Sequence, residues 1–268
     1  MTGSKPSTVA NGARPRLGVF KLASCDGCQL TLLDCEDELL AITQRIDIAP
    51  FAEATSRTWA GPLDLVLVEG SVSTPEHIDE IRAIRARARV LVCIGACATA
   101  GGIQALRNFA DADEYRRVVY ARPDYVATLA TSTPVSAHVR VDFELRGCPI
   151  DKQQLIEVIT AFLVGRRPQI AEESVCAECK RAGKVCVMVA AGDPCLGPVT
   201  QAGCGALCPG FARGCYGCFG PKENANAPAL AAELRRLGAP KTEVVRRFRH
   251  INSQAPGFRE ESGPDGDG

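Results

Sequence analysis

Short apolar runs alternate with amphipathic stretches over the first 165 or so residues. Leu17–Leu22, Ile46–Phe51, Leu63–Val68 and Val90–Ile94 have strand length, and Leu63–Val68 is apolar apart from Asp64, close to what a strand buried on both faces shows. Between them the spacing turns helical. Leu30, Leu33, Leu39 and Leu40 mark a helix from about Cys28 to Thr43, and Pro75 opens one running to about Arg87. A mixed polar segment, Gln104–Tyr125, leads to a strand at Ala137–Leu145, then Gly147-Cys148-Pro149, then a helix Lys152–Val164 ended by Gly165. This order predicts an α/β fold, a doubly wound parallel sheet. After Arg166-Arg167-Pro168 the periodicity stops. Residues 171–221 are rich in Gly and Pro, which predicts a second, small and irregular domain shaped by something other than a hydrophobic core. The expected divisions are a flexible lead-in at 1–14, the sheet domain at 15–168, the irregular domain with a terminal helix at 169–253, and a disordered acidic tail at 254–268.

Composition brings in the chemistry. The chain has 268 residues, 31 Lys+Arg against 31 Asp+Glu, 5% aromatics, and 14 Cys against 3 His. A neutral balance with few aromatics argues against a nucleic-acid footprint. The best apolar runs (Leu65–Val68, Val90–Ile94, Val185–Ala191) are strand-length, so no membrane span is expected. No secretory signal shows in Met1–Phe20, which makes a cytoplasmic location the default expectation. In a reducing compartment, 14 thiols point to metal ligation rather than a disulfide framework.

Cys25, Cys28, Cys97 and Cys148 each follow the carboxyl end of an expected strand, the edge where open α/β sheets bind ligands. Tight turns at Asp26-Gly27, Gly95-Ala96 and Gly147 would let backbone wrap closely and offer N–H donors. Four thiolates suit a [4Fe–4S] cluster or an all-cysteine zinc site. Residues 171–221 hold eight more cysteines in two quartets: Cys176-x2-Cys179-x6-Cys186-x8-Cys195, then Cys204-x3-Cys208-x6-Cys215-x2-Cys218. Two four-iron clusters would use all eight, with a pair of zinc ribbons as the rival; ligand softness and count favour clusters. Cys93, inside an apolar strand, reads as a small buried hydrophobe, and Cys35, two turns beyond Cys28, as packing.

Four motifs of the first domain, Cys25-Asp26-Gly27-Cys28, Val68-Glu69-Gly70, Gly95-Ala96-Cys97-Ala98-Thr99-Ala100-Gly101-Gly102-Ile103 and Gly147-Cys148-Pro149, resemble the flavodoxin-like domain of the [NiFe]-hydrogenase small subunit. Cys195-Leu196-Gly197-Pro198-Val199-Thr200, Cys204 and Cys215-Tyr216-Gly217-Cys218 resemble its cluster-rich C-terminal part. The resemblance runs in order from about residue 16 to 220. It implies a proximal cluster on Cys25, Cys28, Cys97 and Cys148 that faces a [NiFe] centre held by a separate large subunit. It further implies a medial cluster on Cys204, Cys208, Cys215 and Cys218 and a distal one on Cys176, Cys179, Cys186 and Cys195. Exported members carry a His where Cys176 stands and a Pro where this chain offers Cys208. Both departures resemble the cytosolic, multimeric branch with three [4Fe–4S] clusters, whose partners include flavin- and NAD(P)-binding and iron–sulfur electron-transfer subunits. The expected role is therefore the electron-transfer subunit of a hydrogenase, with NAD(P) as acceptor.

Rival expectations are a sulfur- or polysulfide-reducing complex, a deazaflavin-linked hydrogenase, and, from another class, a zinc-stabilised interaction protein. A relation by fold to the cluster subunit of respiratory complex I lacks that family's adjacent Cys-Cys pair. Glu69, at the ligand edge, fits either a proton-relay or interface carboxylate or a carboxylate capping a helix or turn. His77, His138 and His250 read as surface or core residues. Arg246-Arg247-Phe248-Arg249-His250 reads as a solvated helix face, with docking to an acidic partner subunit as the sharper alternative.

Overall fold

The computed structural model describes residues 14–263; the lead-in expected at 1–14 lies outside them but for Arg14, as does the last part of the tail. Five parallel strands form one sheet in the order β2-β1-β3-β4-β5, the flavodoxin order. The elements of the first domain are β1 (Arg16–Lys21), α1 (Gly27–Leu33), α2 (Glu36–Thr43), β2 (Asp47–Phe51), β3 (Leu63–Glu69), α3 (Pro75–Arg87), β4 (Ala88–Ile94), α4 (Gly95–Ala100), α5 (Ala112–Val119), β5 (Phe143–Leu145) and α6 (Lys152–Leu163).

The side-chain alternation of the central strands explains the double winding. Leu65 and Leu67 of β3, with Val92 and Ile94 of β4, join a core with Leu32, Ile42, Leu155, Val158 and Ile159 from α1, α2 and α6. Val66, Val68, Leu91 and Cys93 point the other way, into a core with Ile81 and Ile84 of α3. Period-2 strands thus feed two cores, each sealed by helices. Thr74 caps α3 by accepting the His77 N–H, and Pro75 supplies its first turn.

Two expected elements are shorter in the structure. The helix expected over Cys28–Thr43 is two helices, because the chain turns at Asp34-Cys35 and Glu36 takes a left-handed φ of 38°. Of the strand expected at Ala137–Leu145 only Phe143–Leu145 pairs with β4; Val135–Ala137 is a turn of 3-10 helix.

Beyond α6 the chain forms short helices, α7 (Val175–Arg181), α8 (Val187–Ala191) and α9 (Leu207–Gly210), then α10 (Ala227–Arg236), α11 (Lys241–Arg249) and α12 (Pro256–Arg259). The expectation of a coreless second domain needs correction. Leu196, Val199, Leu230, Leu234, Val244, Phe248 and Phe258 make a buried apolar core of their own. The tail expected to be disordered from 254 supplies Phe258, packed edge-on against Phe248 with ring centroids 5.3 Å apart. Residues 254–263 are held because α12 and the turn after it bury Phe258 and Ser262, and Arg249 donates to the carbonyls of Ser262 and Gly263. The basic stretch at 246–250 is accordingly not a simple solvated face. Arg247 pairs with Glu243 at 2.8 Å and lies over the Tyr216 ring. Among the described residues no helix is long and apolar enough to cross a membrane.

Candidate functional site

The carboxyl edge of the sheet gathers the first quartet. Cys25 and Cys28 flank the start of α1, where Asp26 takes a left-handed φ of 67° and its carboxylate accepts Lys21 Nζ at 2.7 Å. Cys97 lies in α4, which springs directly from β4, and Cys148 follows β5. The Ala96 N–H donates to Gly147 O at 2.8 Å and ties the Cys97 helix to the Cys148 loop. The four sulfurs lie within electrostatic reach of one another: Cys28 of Cys97 and Cys148, Cys97 of Cys148 and Cys25, and Cys148 of Cys25. Cys35 and Cys93 are absent from this set; both are fully buried in the apolar cores, and the Cys35 thiol donates to Thr31 O.

Two glycines are dictated by these sulfurs. A Cβ on Gly95 would lie 2.4 Å from Cys28 Sγ, and one on Gly102 would lie 2.5 Å from Cys97 Sγ; both residues have positive φ, 82° and 62°. Any other residue would press into the space around the thiols. Glu69, 2% exposed, accepts the N–H groups of Cys28 and Gln29, each at 3.1 Å, one on each carboxylate oxygen. Burial pushes its carboxyl up, opposed by those N–H donors. Of its two expected roles, this bonding is that of the capping carboxylate.

In the C-terminal region Cys179 lies within reach of Cys176, Cys195 and Cys186, and Cys195 of Cys176 and Cys186. Cys218 lies within reach of Cys204 and Cys208. Cys215 couples both to Cys218 and to Cys195, to whose Sγ its N–H donates at 3.2 Å. Cys218 in turn reaches Cys148 of the sheet domain. Electrostatic coupling thus links the three sets, Cys148 with Cys218 and Cys215 with Cys195.

The donor chemistry fits iron–sulfur clusters. Burial pushes the Cys97 thiol up to about 11 and those of Cys215 and Cys218 up to about 12, and raises Cys28 further still. Such thiols keep their protons in an empty site, and a coordinating metal removes them. Backbone amides aim at the sulfurs, as the N–H of Gly217 does at Cys215 Sγ (3.4 Å), the type of bond that steadies and tunes cluster thiolates. Among the described residues, no three His, Cys, Asp or Glu side chains converge as the ligands of a single metal ion.

Two residues went unnoticed in the sequence. Glu178, on α7 between Cys176 and Cys179, accepts the N–H groups of Gly203 (3.4 Å), Gly205 (3.0 Å) and Ala206 (3.1 Å), and so fixes the loop that carries Cys204. Its only signal was a carboxylate inside a Cys-x2-Cys pair. Gln104 Oε1 stands 3.4 Å from Cys97 Sγ while its Nε2 donates to Ala23 O at 2.9 Å, and nothing in its local sequence marked it. His77 and His138 bond to Ser73 and Thr133, and His250 packs near Tyr216, the residue after Cys215.

The family described as "NADH ubiquinone oxidoreductase, 20 Kd subunit" matches residues 25–162, the stretch holding the first quartet. The sulfhydrogenase 2 subunit delta of Pyrococcus furiosus is 39% identical over 87% of this chain and 98% of its own length. The NAD-reducing hydrogenase HoxS subunit delta of Cupriavidus necator is 26% identical over 62% of this chain and 87% of its own. A crystal structure of an NAD+-reducing [NiFe]-hydrogenase in the H2-reduced state matches with 30% identity and a TM-score of 0.54, covering 59% of this chain and 95% of that one. A [NiFeSe]-hydrogenase from Dm. baculatum, 15% identical, shares the fold over 80% of this chain and 96% of its own, with a TM-score of 0.57. The chain belongs to the [NiFe]-hydrogenase small-subunit family.

Proposed function

We propose that this chain relays electrons, through three [4Fe–4S] clusters, between the [NiFe] site of its large subunit and an NAD(P)-linked flavin partner. In this assignment Cys25, Cys28, Cys97 and Cys148 hold the proximal cluster, Cys204, Cys208, Cys215 and Cys218 the medial one, and Cys176, Cys179, Cys186 and Cys195 the distal one. When bound, such clusters accept and give up one electron at a time. The observation that carries the proposal is the Cys215 N–H that donates to Cys195 Sγ at 3.2 Å and ties the two C-terminal sets together, with electrostatic coupling of Cys148 to Cys218 beside it. Both ends of the series reach the surface. Cys25 and Cys148 are exposed at the sheet edge, as Cys186 is at the far end.

The protein's own work is positioning and insulation. Core strands fix the first quartet, Glu69 and Glu178 satisfy loop N–H groups beside Cys28 and Cys204, and Cys28, Cys179, Cys195 and Cys215 are buried. Exposed Leu30 and Ile103 lie in the segments that follow Cys28 and Cys97, and offer apolar area to the large subunit. Iron, zinc and acid-labile sulfide analysis tests the assignment. About four irons per quartet with matching sulfide is expected, and stoichiometric zinc without sulfide overturns it. Hydrogen-driven reduction of NADP, NAD, a deazaflavin coenzyme and polysulfide by the purified complex then ranks the acceptors.

The last of these deserves its own comparison because of how the relatives align. The sulfhydrogenase subunit matches nearly end to end, whereas the NAD-reducing relatives match over about the share of this chain that the sheet domain occupies. That difference favours a second reading, with an acceptor other than NAD(P), sulfur or polysulfide among them, and sulfide production under hydrogen is one measurement of it.

A further inference from the structure

The far end of the thiol series carries a surface that nothing within the described chain covers. Around exposed Cys186, Val185 is 71% and Val189 87% exposed, and in the 207–211 turn Leu207 and Phe211 are 60% and 75% exposed. The two segments meet through one side chain. A Cβ on Gly210 would touch Lys184 at Cε (3.6 Å) and Nζ (3.7 Å), so the Lys184 side chain reaches the 207–211 turn. Large apolar side chains left this open in a chain with two well-filled sheet cores mark an interaction surface. Its border is basic. Lys180, Lys184 and Arg213 are exposed and none of them makes a salt bridge among the described residues. The neighbouring carboxylates are engaged elsewhere, Glu173 with Arg181 and Glu178 with the 203–206 loop; Asp193 is the exposed exception.

We propose that this face docks an acidic electron-transfer protein, one whose redox centre lies under an apolar patch ringed by carboxylates. The inference rests on the relay assignment, which makes Cys186 the outermost ligand, and adds the chemistry of what meets it. An apolar centre excludes water where the two redox centres approach, while the Lys and Arg border steers a negatively charged partner and fixes its orientation. One electron leaves the reduced relay and the partner's oxidised centre takes it; no bond changes hands. The net neutrality of the whole chain makes the sign of this one face decisive.

The test uses the hydrogenase assembled with its large subunit, hydrogen as reductant, and three acceptors: methyl viologen, an acidic plant-type [2Fe–2S] ferredoxin, and basic cytochrome c. The ferredoxin should be reduced with a lower KM than cytochrome c at low salt, and the advantage should shrink as ionic strength rises. The double variant Lys184→Glu/Arg213→Glu should raise the ferredoxin KM about tenfold or more while the viologen rate stays within about twofold. Phe211→Ser should raise the ferredoxin KM at every salt concentration. Unchanged ferredoxin KM in these variants, or preference for cytochrome c, overturns the docking proposal. Absence of viologen reduction by the unaltered complex overturns instead the relay assignment beneath it.

Discussion

The sheet domain and the C-terminal region hold thiols in opposite ways. In the first, Cys25, Cys28, Cys97 and Cys148 come from distant points of the sequence and meet because β1, β4 and β5 are pinned by two apolar cores. In the second, eight cysteines fall within one short stretch, and the packed cluster around them is made of Val175, Val187 and Ala206 together with Cys179, Cys195 and Cys215 themselves. Sheet packing places the ligands in one case. In the other, the cysteines are much of the packing, and a separate apolar core joins Leu196 and Val199 to the helices at Ala227–Arg236 and beyond. On the proposed assignment, metal loading and hydrophobic burial divide the molecule, so each half should respond to a different insult.

Removing iron from the assembled protein with a chelator should separate the halves most strongly. Amides of α7, α8 and α9 should lose nearly all exchange protection, since buried thiols and three small apolar residues cannot offset chain entropy, while β3 and β4 stay protected. Hydrogen exchange read by mass spectrometry checks this. Equal loss of protection in both halves would break the distinction. The converse insult is Leu67→Ala, which empties a fully buried site and should cost about 2–5 kcal/mol in urea unfolding of the iron-free chain. Val187→Ala in the same iron-free state should cost far less, because its surroundings have already opened.

The sequence made the sheet half legible for a physical reason. A strand buried on both faces has to be apolar throughout, and Leu63–Val68 is so apart from the edge residue Asp64, whose carboxylate accepts the Arg16 N–H at 2.9 Å. The two C-terminal cysteine quartets could be proposed because their spacing is local, and the first because each of its members follows the end of an expected strand. What was hidden depends on contacts between distant residues: the turn at Cys35, the shortness of β5, Glu178 reaching the Cys204 loop, and Phe258 of the presumed tail completing a core. No local composition distinguishes Gly-Phe-Arg-Glu as a buried anchor from the same letters in a free end. The order of the three thiol sets came from the family resemblance alone, since no spacing within the chain shows that Cys148 couples to Cys218 across the domain boundary.

A finer contrast lies in the two capping carboxylates. Glu178 alone satisfies three N–H groups of the 203–206 loop, and no strand register holds that loop. Glu178→Ala should therefore cost about 1–3 kcal/mol and lower iron by up to about four per chain, seen by metal analysis. Glu69 serves α1, which the cores already fix through Leu32. Glu69→Gln keeps one acceptor oxygen, so it should cost about 1 kcal/mol with iron content unchanged. Unaltered hydrogen turnover in that variant would also remove any proton-relay role for Glu69. Iron loss of the same size in both variants would mean that the sheet does not protect its quartet as described.

The smallest expected effect lies in the joint between the halves. Glu157 of α6 accepts Arg166 Nη2 at 2.6 Å and the Gln169 N–H at 2.8 Å, bracing the turn where the sheet domain hands over to the cluster region. The Arg166 guanidinium, aided by that N–H, holds the Glu157 carboxyl down to about 2, from an ordinary 4.5. A carboxyl lowered on folding favours the folded chain at pH above its unfolded value, and this contribution drains as pH falls from about 4.5 to about 2. The pair is open to solvent, so salt screens it and its worth is small. Glu157→Gln should accordingly lower the urea midpoint slightly at pH 7 and at low salt, with the gap between variant and parent closing on acidification. A gap that widens in acid would place the bracing elsewhere, and would leave the two halves joined by packing around Arg146, whose Nη1 donates to Pro221 O at 2.6 Å across the same boundary.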